Sequence, residues 1–254
     1  MMLTTHTMKV IFLGTNGWYN TETGNTPRVL VDTDSYYIVF DAGDGIHKLD
    51  DYINSNKPIY LFLSHFHVEH ISGLHILNKF RFKQIVRIYG QKGTRRILKY
   101  IIEHPFTCPV NDLPIKLRIG ELSEGVHRIP FRVTCKQLLH VDPCFGYRIE
   151  LDGKVITYCT DTGICKNSLL LSKNADLLIH DCAENSKQRT PKWPHAIPSE
   201  AAKLAKRANA KQLVLFHFSA AVYKSIAERK EAEEDARSIF KNTVAAMDGM
   251  QLNV

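Results

Sequence analysis

Within six positions, His65-Phe66-His67-Val68-Glu69-His70, this chain sets three imidazoles and a carboxylate directly behind an apolar run, Leu61-Phe62-Leu63, that ends at Ser64. The apolar run reads as a buried strand, and a helical pattern begins near Ile71. Four ligand-type groups are thus crowded into the loop between a strand and a helix. Imidazole nitrogens and a carboxylate oxygen suit Zn²⁺ or a similar borderline cation. Positions 65 and 67 alternate and can share a face, while 69 and 70 turn toward a second site, so the local geometry has room for two metals. The alternative is a polar turn whose histidines cap the next helix. It is the weaker reading, because a helix N-terminus carries partial positive charge and repels imidazolium.

A loop of this kind needs further donors from elsewhere in the chain, one of them able to bridge two cations. Three residues stand at the ends of other expected strands: His140 after 135–139, Asp161 in Tyr158-Cys159-Thr160-Asp161-Thr162-Gly163, and His217 after Leu213-Val214-Leu215-Phe216. Each alone reads as an ordinary strand-end polar residue; together with the loop they read as a ligand set. Strands are expected at 9–14, 28–33, 36–41, 59–63, 85–89, 132–140, 146–151, 154–159, 177–180 and 212–216, with a short final one at 250–254. Helical periodicity covers 46–54, 71–80, 92–103, 199–208 and 223–246. Thr33-Asp34-Ser35 and Leu151-Asp152-Gly153-Lys154 mark hairpins. Antiparallel hairpins early and strand–helix alternation later fit an α/β chain of the α+β type, a four-layer αββα sandwich.

The Leu-Gly-Thr-Asn-Gly start at 13–17, Phe40-Asp41-Ala42-Gly43, the HxHxEH run, His140, the Asp161 loop, His195 in Pro194-His195-Ala196-Ile197-Pro198, and Phe216-His217-Phe218-Ser219 occur in an order that resembles the metallo-β-lactamase superfamily. The likeness covers nearly the whole chain and is greatest to the ribonuclease Z-like phosphodiesterase branch. It implies the metallo-β-lactamase fold and two divalent metal ions, Zn first, with Mn or Fe as alternatives. It also implies that His65, His67 and His140 hold one metal, Glu69, His70 and His217 the other, with Asp161 bridging. His195 would position a phosphate oxygen or protonate the leaving group, which its titration range permits. Glu69 departs from the family, which usually has Asp there; the extra methylene moves the carboxylate outward by about 1.5 Å. In the catalytic reading Glu69 orients a hydroxide generated between the metals, and Asp161 fixes the geometry. A second departure is the short interval from His140 to Asp161, already consumed by two strands and a turn. It leaves no room for the tRNA-clamping arm common in ribonuclease Z enzymes.

At 254 residues, 44% apolar and 23% charged, the chain has the size and composition of one packed domain, 1–254, and excludes disordered, collagen-like and coiled-coil classes. No window approaches a membrane span, and the first residues lack a basic region ahead of an apolar stretch, so the expected compartment is the cytoplasm. The six cysteines are irregularly spaced and read as free thiols. Between 79 and 118 stand ten basic residues against two acidic ones, a field that favours an anionic phosphodiester or RNA as partner, or else is a solvated face. His180 and Asp181 follow a strand and could orient a ligand histidine from behind, or be plain strand-end residues. The apolar face of the helix expected after Tyr223 leaves a homodimer open. The leading expectation is a metal-dependent hydrolase cleaving a phosphodiester. Alternatives are a tRNA 3′-processing endoribonuclease without the arm, a thioester or lactone hydrolase, and a metal-containing binding protein of low turnover.

Overall fold

The structure, a computed structural model, describes residues 8–190 and 192–254. Residues 1–7, on which part of the reading against a leader peptide rests, lie outside the described residues. The first half of the chain supplies β1 (Lys9–Gly14), a two-residue β2 (Asn16–Gly17), β3 (Arg28–Asp32), β4 (Tyr37–Phe40), β5 (Ile59–Phe62), β6 (Val86–Gly90) and β7 (Leu117–Glu121), with short helices α1 (Val68–Ile71) and α2 (Thr94–Ile101). The second half supplies β8 (Gly125–Arg128), β9 (Arg132–Gln137), β10 (Phe145–Leu151), β11 (Lys154–Cys159), α3 (Lys166–Ser172), β12 (Leu177–Asp181), α4 (Pro198–Arg207), β13 (Leu213–Phe216), β14 (Phe218–Ser219), α5 (Ile226–Arg237), β15 (Thr243–Ala245) and β16 (Gln251–Asn253).

Two seven-stranded sheets result, ordered β16-β1-β3-β4-β5-β6-β7 and β15-β13-β12-β11-β10-β9-β8, with β2 and β14 forming a small third ladder. In the first sheet β4 to β7 run parallel and the β1, β3 and β16 pairings are antiparallel. The second mirrors it, with β11, β12, β13 and β15 parallel and β8 to β11 antiparallel. Period-2 alternation then decides the layers. Val10 and Phe12 of β1, with Phe40 and Phe62, meet Tyr147, Tyr158, Ile179 and Phe216 of the other sheet in the central core. Their alternates Ile11, Leu13, Val39 and Leu61 pack outward under the helical segments of the first half. Leu178, Leu213 and Leu215 pack outward under Ala201, Leu204 and Ala205 of α4 and Ala232 and Ala236 of α5. The expected αββα sandwich is the observed architecture.

Most strands lie within a residue or two of the expected ranges, and the Asp152-Gly153 turn has both residues at positive φ (51° and 73°), as a tight primed hairpin demands. Four expectations are corrected. The strand expected to run to His140 stops at Gln137, and Leu139 makes only an isolated bridge to Gly163. The segments at 46–54 and 71–80 are largely 3₁₀ turns, Asp44–Asp51 and Ser72–Lys79. Strands β7, β8 and β15 and helix α3 form where none was expected. The helix expected over 223–246 begins at Ile226, after a Ser225 cap closed by Glu228, and ends at Arg237. Residues 243–245 instead add a parallel strand to β13.

Candidate metal centre

The parallel strands of both sheets discharge their C-terminal loops at one edge, where ligands collect in open α/β sheets. β4 delivers Asp41, β5 the loop 64–70, β11 Asp161, β12 Asp181 and β13 His217. Asp41, Asp161 and His217 all take left-handed backbone (φ 57°, 52° and 62°), a conformation costly for residues other than glycine. Three such residues at one edge mark where the surrounding fold dictates side-chain direction over backbone comfort.

Asp161 is the hub. Its Oδ2 lies 3.2 Å from His65 Nε2, 3.3 Å from His70 Nε2 and 3.6 Å from His217 Nε2, and its Oδ1 lies 3.4 Å from His140 Nε2. Donor atoms fall into overlapping groups: His65, His67, His140 and Asp161 in one, Glu69, His70, Asp161 and His217 in the other, each within 4.8 Å. A third group, Asp161, Asp181, His195 and His217, overlaps the second. The outward reach of Glu69 does not remove it from the cluster. Whether a cation fits can be read from unmet bonding capacity. His65 Nε2, His140 Nε2 and Asp161 Oδ1 are buried and have no hydrogen-bond partner among the described residues, although buried polar atoms nearly always find one. These bare atoms face one another around a single carboxylate. The donor set is nitrogen and oxygen, which fits a divalent borderline cation.

The rings are aimed from behind. Asp41, fully buried, accepts from His70 Nδ1 at 2.8 Å, Ser64 N at 2.7 Å, Ser64 Oγ at 2.9 Å and Tyr158 Oη at 2.8 Å. Beneath it Arg28 donates to the Asp41 carbonyl at 3.2 Å. Asp181 Oδ2 accepts from His217 Nδ1 at 3.1 Å and His195 Nδ1 at 3.2 Å, so its orienting role is realised, whereas buried His180 turns Nδ1 to the Asp181 carbonyl. Asp142 meets His67 Nε2 at 2.9 Å, which leaves Nδ1 of that ring for a cation. Such carboxylate–histidine pairs fix ring orientation at metal sites. Gly17 completes the packing: a Cβ there would sit 2.8 Å from the His217 ring.

Electrostatics follow the same layout. Burial opposes charge on His70, but Asp41 and Asp161 outweigh it and raise its pKa to about 10. Burial and then His70 lower His65 to about 4. Burial likewise opposes charge on His195, and Asp181 overrides it, raising His195 to about 9. Asp161 is held well below the usual carboxylate range, burial being outweighed by His217, His65 and His70. The cluster opens into a cavity of about 970 Å³, whose lining includes His67, Glu69, Asp161, His195 and His217.

The structure therefore brings every expected site residue to one place: His65, His67, Glu69, His70, His140, Asp161, His195 and His217. Sequence reasoning gave no role to Asp41 or Asp142. The signal for Asp41 was present, an acid following an apolar strand ahead of Ala42-Gly43; Asp142 has none, because its role depends on His140 folding back beside His67. The basic residues of 79–118 are not among the lining residues, and Lys79 is paired with Asp50. No described helix is long and apolar enough to cross a membrane.

A model of the beta-lactamase superfamily domain matches residues 36–218. A ribonuclease Z of Haloarcula marismortui is 27% identical over 309 aligned positions, covering 98% of this chain and 97% of the relative. Since this chain has 254 residues, the relative carries inserted segments that it lacks. Among solved structures, the metallo-β-lactamase fold protein YhfI of Bacillus subtilis superposes with a TM-score of 0.82 at 22% identity, covering 98% of this chain and 100% of that one. The short form of human tRNase Z does so with 0.75 at 24%, covering 96% and 98%. With the family match spanning most of the chain and two histidine compartments sharing one aspartate, this protein belongs to the metallo-β-lactamase superfamily.

Proposed function

We propose that the chain is a divalent-metal-dependent phosphodiesterase, with His65, His67 and His140 holding one cation, Glu69, His70 and His217 a second, and Asp161 shared between them. The observation that carries this reading is the set of bare, buried nitrogens converging on the Asp161 carboxylate. Zinc is the first candidate on donor type, with manganese or iron next. When bound, such a pair supplies Lewis acidity toward phosphate oxygens and acidifies water at neutral pH.

The chain's own residues supply the rest. Asp161 keeps the two compartments in register. Glu69, half-buried at the cavity wall, accepts a proton from the attacking water and holds its direction. His195, held protonated near neutrality by Asp181, gives a proton to the departing oxygen or binds a phosphate oxygen. Asp41 and Asp181 lock the His70 and His217 rings so that little reorganisation is needed during turnover.

The near full-length match to curated ribonuclease Z supports RNA 3′-end cleavage as a second reading of the same centre. Against it stands the direct run from β10 to β11 through a two-residue turn, which carries no arm. The test is hydrolysis of bis(p-nitrophenyl) phosphate and of a precursor tRNA with a 3′ trailer, by protein loaded with Zn²⁺, Mn²⁺ or Fe²⁺. Asp161→Ala should lower both bound metal and rate by at least a hundredfold in kcat/KM. Full activity at full occupancy in that variant would sink the shared-ligand role. Two bound metals with no diester turnover would move the assignment to carbonyl esters or to a binding role.

A further inference from the structure

The cavity over the cluster has an unusual rim. Four of the eleven large hydrophobic side chains exposed among the described residues line it: Trp18 at 65% exposure, Tyr19 at 43%, Val68 at 72% and Trp193 at 44%. Surface hydrophobics scattered singly are normal, whereas a group around one cleft marks a binding site. Trp18 and Trp193 are also the only tryptophans in the chain.

Their placement follows the two compartments. Trp193 sits with its ring centroid 5.8 Å from that of His67 and 6.3 Å from that of His140, beside the first donor group. Trp18 follows Gly17, the residue that abuts the His217 ring, and so stands by the second. It does so with φ at +77°, an outlying conformation for a bulky side chain. The turn that enforces it is clipped. Asn16 Nδ2 donates to the Tyr19 carbonyl at 3.0 Å and to Thr21 Oγ1 at 2.9 Å, and the Gly17 carbonyl accepts from Tyr19 N at 3.1 Å and Ala220 N at 3.2 Å. Trp18 meets Tyr19 edge-on, centroids 5.2 Å apart. An indole is thus held in water at a backbone cost, next to the histidine–carboxylate cluster.

The charge of the cleft points the same way. Among its lining residues there is no lysine or arginine, while Asp44, Glu69 and Glu184 are present. A cleft that gripped a polyanion along its backbone would be lined with cations. Here the substrate's phosphate must rely on the metal centre and histidines, and what flanks the phosphate meets aromatic surface. Base stacking on aromatic rings is worth a large share of single-strand nucleic-acid affinity and tolerates any base.

Resting on the phosphodiesterase reading, the geometry points to Trp18 and Trp193 as stacking platforms that select a small phosphodiester carrying a nucleobase, one platform for the group on each side of the scissile phosphate. The substrate class is a nucleoside phosphodiester of one or two nucleotides, rather than a bare sugar or alkyl diester.

Two esters with the same leaving group separate the readings: thymidine 5′-(p-nitrophenyl phosphate) and methyl p-nitrophenyl phosphate, given to the zinc-loaded protein. The thymidine ester should be favoured at least tenfold in kcat/KM, through KM. Of Trp18→Ala and Trp193→Ala, the one that removes the platform under thymine should cut that preference at least fivefold, the other, whose platform takes the shared p-nitrophenyl group, should slow both esters alike, and Trp18→Phe should behave as the parent. Because both tryptophans lie in the cleft, selectively excited tryptophan emission reports on it: thymidine 5′-monophosphate should quench it saturably and dimethyl phosphate should not. Hydrolysis of both esters at rates within twofold, with no quenching, would overturn the platforms and leave the phosphodiesterase reading standing. Quenching with neither ester hydrolysed would uphold the platforms and sink that reading.

Discussion

Gly17 has no side chain because the His217 ring occupies the space one would need. A methyl there would meet the ring's Nδ1 and Cε1 at 2.9 and 2.8 Å, inside any ordinary contact, and would push the imidazole off Asp181. Gly17→Ala is therefore expected to cost about 10- to 100-fold in metal affinity of the His217 compartment, the range seen when groups orienting a ligand are lost. Metal content by elemental analysis, with a thermal melt as control, checks this; unchanged occupancy would mean the ring has room to yield. His70 carries a second prediction. Metal-free, its pKa of about 10 keeps both ring nitrogens protonated at pH 7.5, because Asp41 and Asp161 together overcome burial. A cation taking Nε2 must displace that proton, so metal uptake should release protons. Calorimetry in buffers of different ionisation enthalpy should show it, and buffer-independent heats would refute the assignment of Nε2 as a ligand. At this scale the sequence was informative where residues are concentrated, as in the 65–70 loop, or stand at the ends of expected strands, as His140, Asp161 and His217 do. His65, His67, Glu69 and His70 are legible because no ordinary loop gathers them. Asp41 and Asp142 are single acids in the chain, and only the crossing of elements far apart in sequence gives them imidazole partners.

Elements were legible by periodicity, and failed where periodicity is shared between helix and strand. The run from Tyr223 keeps apolar residues at helical spacing through Phe240 and Val244, yet β13 offers an open edge on which 243–245 can pair, and that tertiary gain ends the helix at Arg237. β7 and β8 were missed because each is the edge strand of its own sheet and fully buries none of its residues, which leaves only a weak apolar signature. What α5 does for the site rests on one buried cation. Arg229 donates through Nη1 to Thr15 Oγ1 at 2.8 Å and to the Ala246 carbonyl at 3.2 Å, and through Nη2 to Asn16 Oδ1 and to Thr23 Oγ1 at 3.2 Å, with its guanidinium 4.7 Å over the Phe218 ring. It thereby ties the helix to the loop that carries Gly17 and Trp18. Arg229→Leu would leave several buried acceptors unmet, a loss of about 3 kcal/mol. For a chain of this length that is a fall in Tm of roughly 6–12 °C. A fall under 2 °C would show that water or rearrangement replaces the guanidinium.

At the scale of the whole molecule, the cluster is where the two sheets are held together by something other than apolar contact. His65, His67 and His70 come from the first sheet's edge, and His140, Asp161 and His217 from the second's. Binding a cation between them stabilises the native state by mass action, because the unfolded chain scatters the donors. At a free metal concentration 100 times Kd the gain is about 2.7 kcal/mol per site. Stripping the metal should therefore lower Tm by roughly 5–11 °C for one site, and restoring Zn²⁺ should return it. The sandwich itself should survive chelation, since its central core from Val10 to Phe216 is apolar and independent of the cluster. Far-ultraviolet circular dichroism should thus stay native after chelation while the melt shifts down. Loss of secondary structure on chelation would mean that the cation holds the sheets together; an unmoved Tm would mean that the histidine cage binds no cation tightly enough to matter.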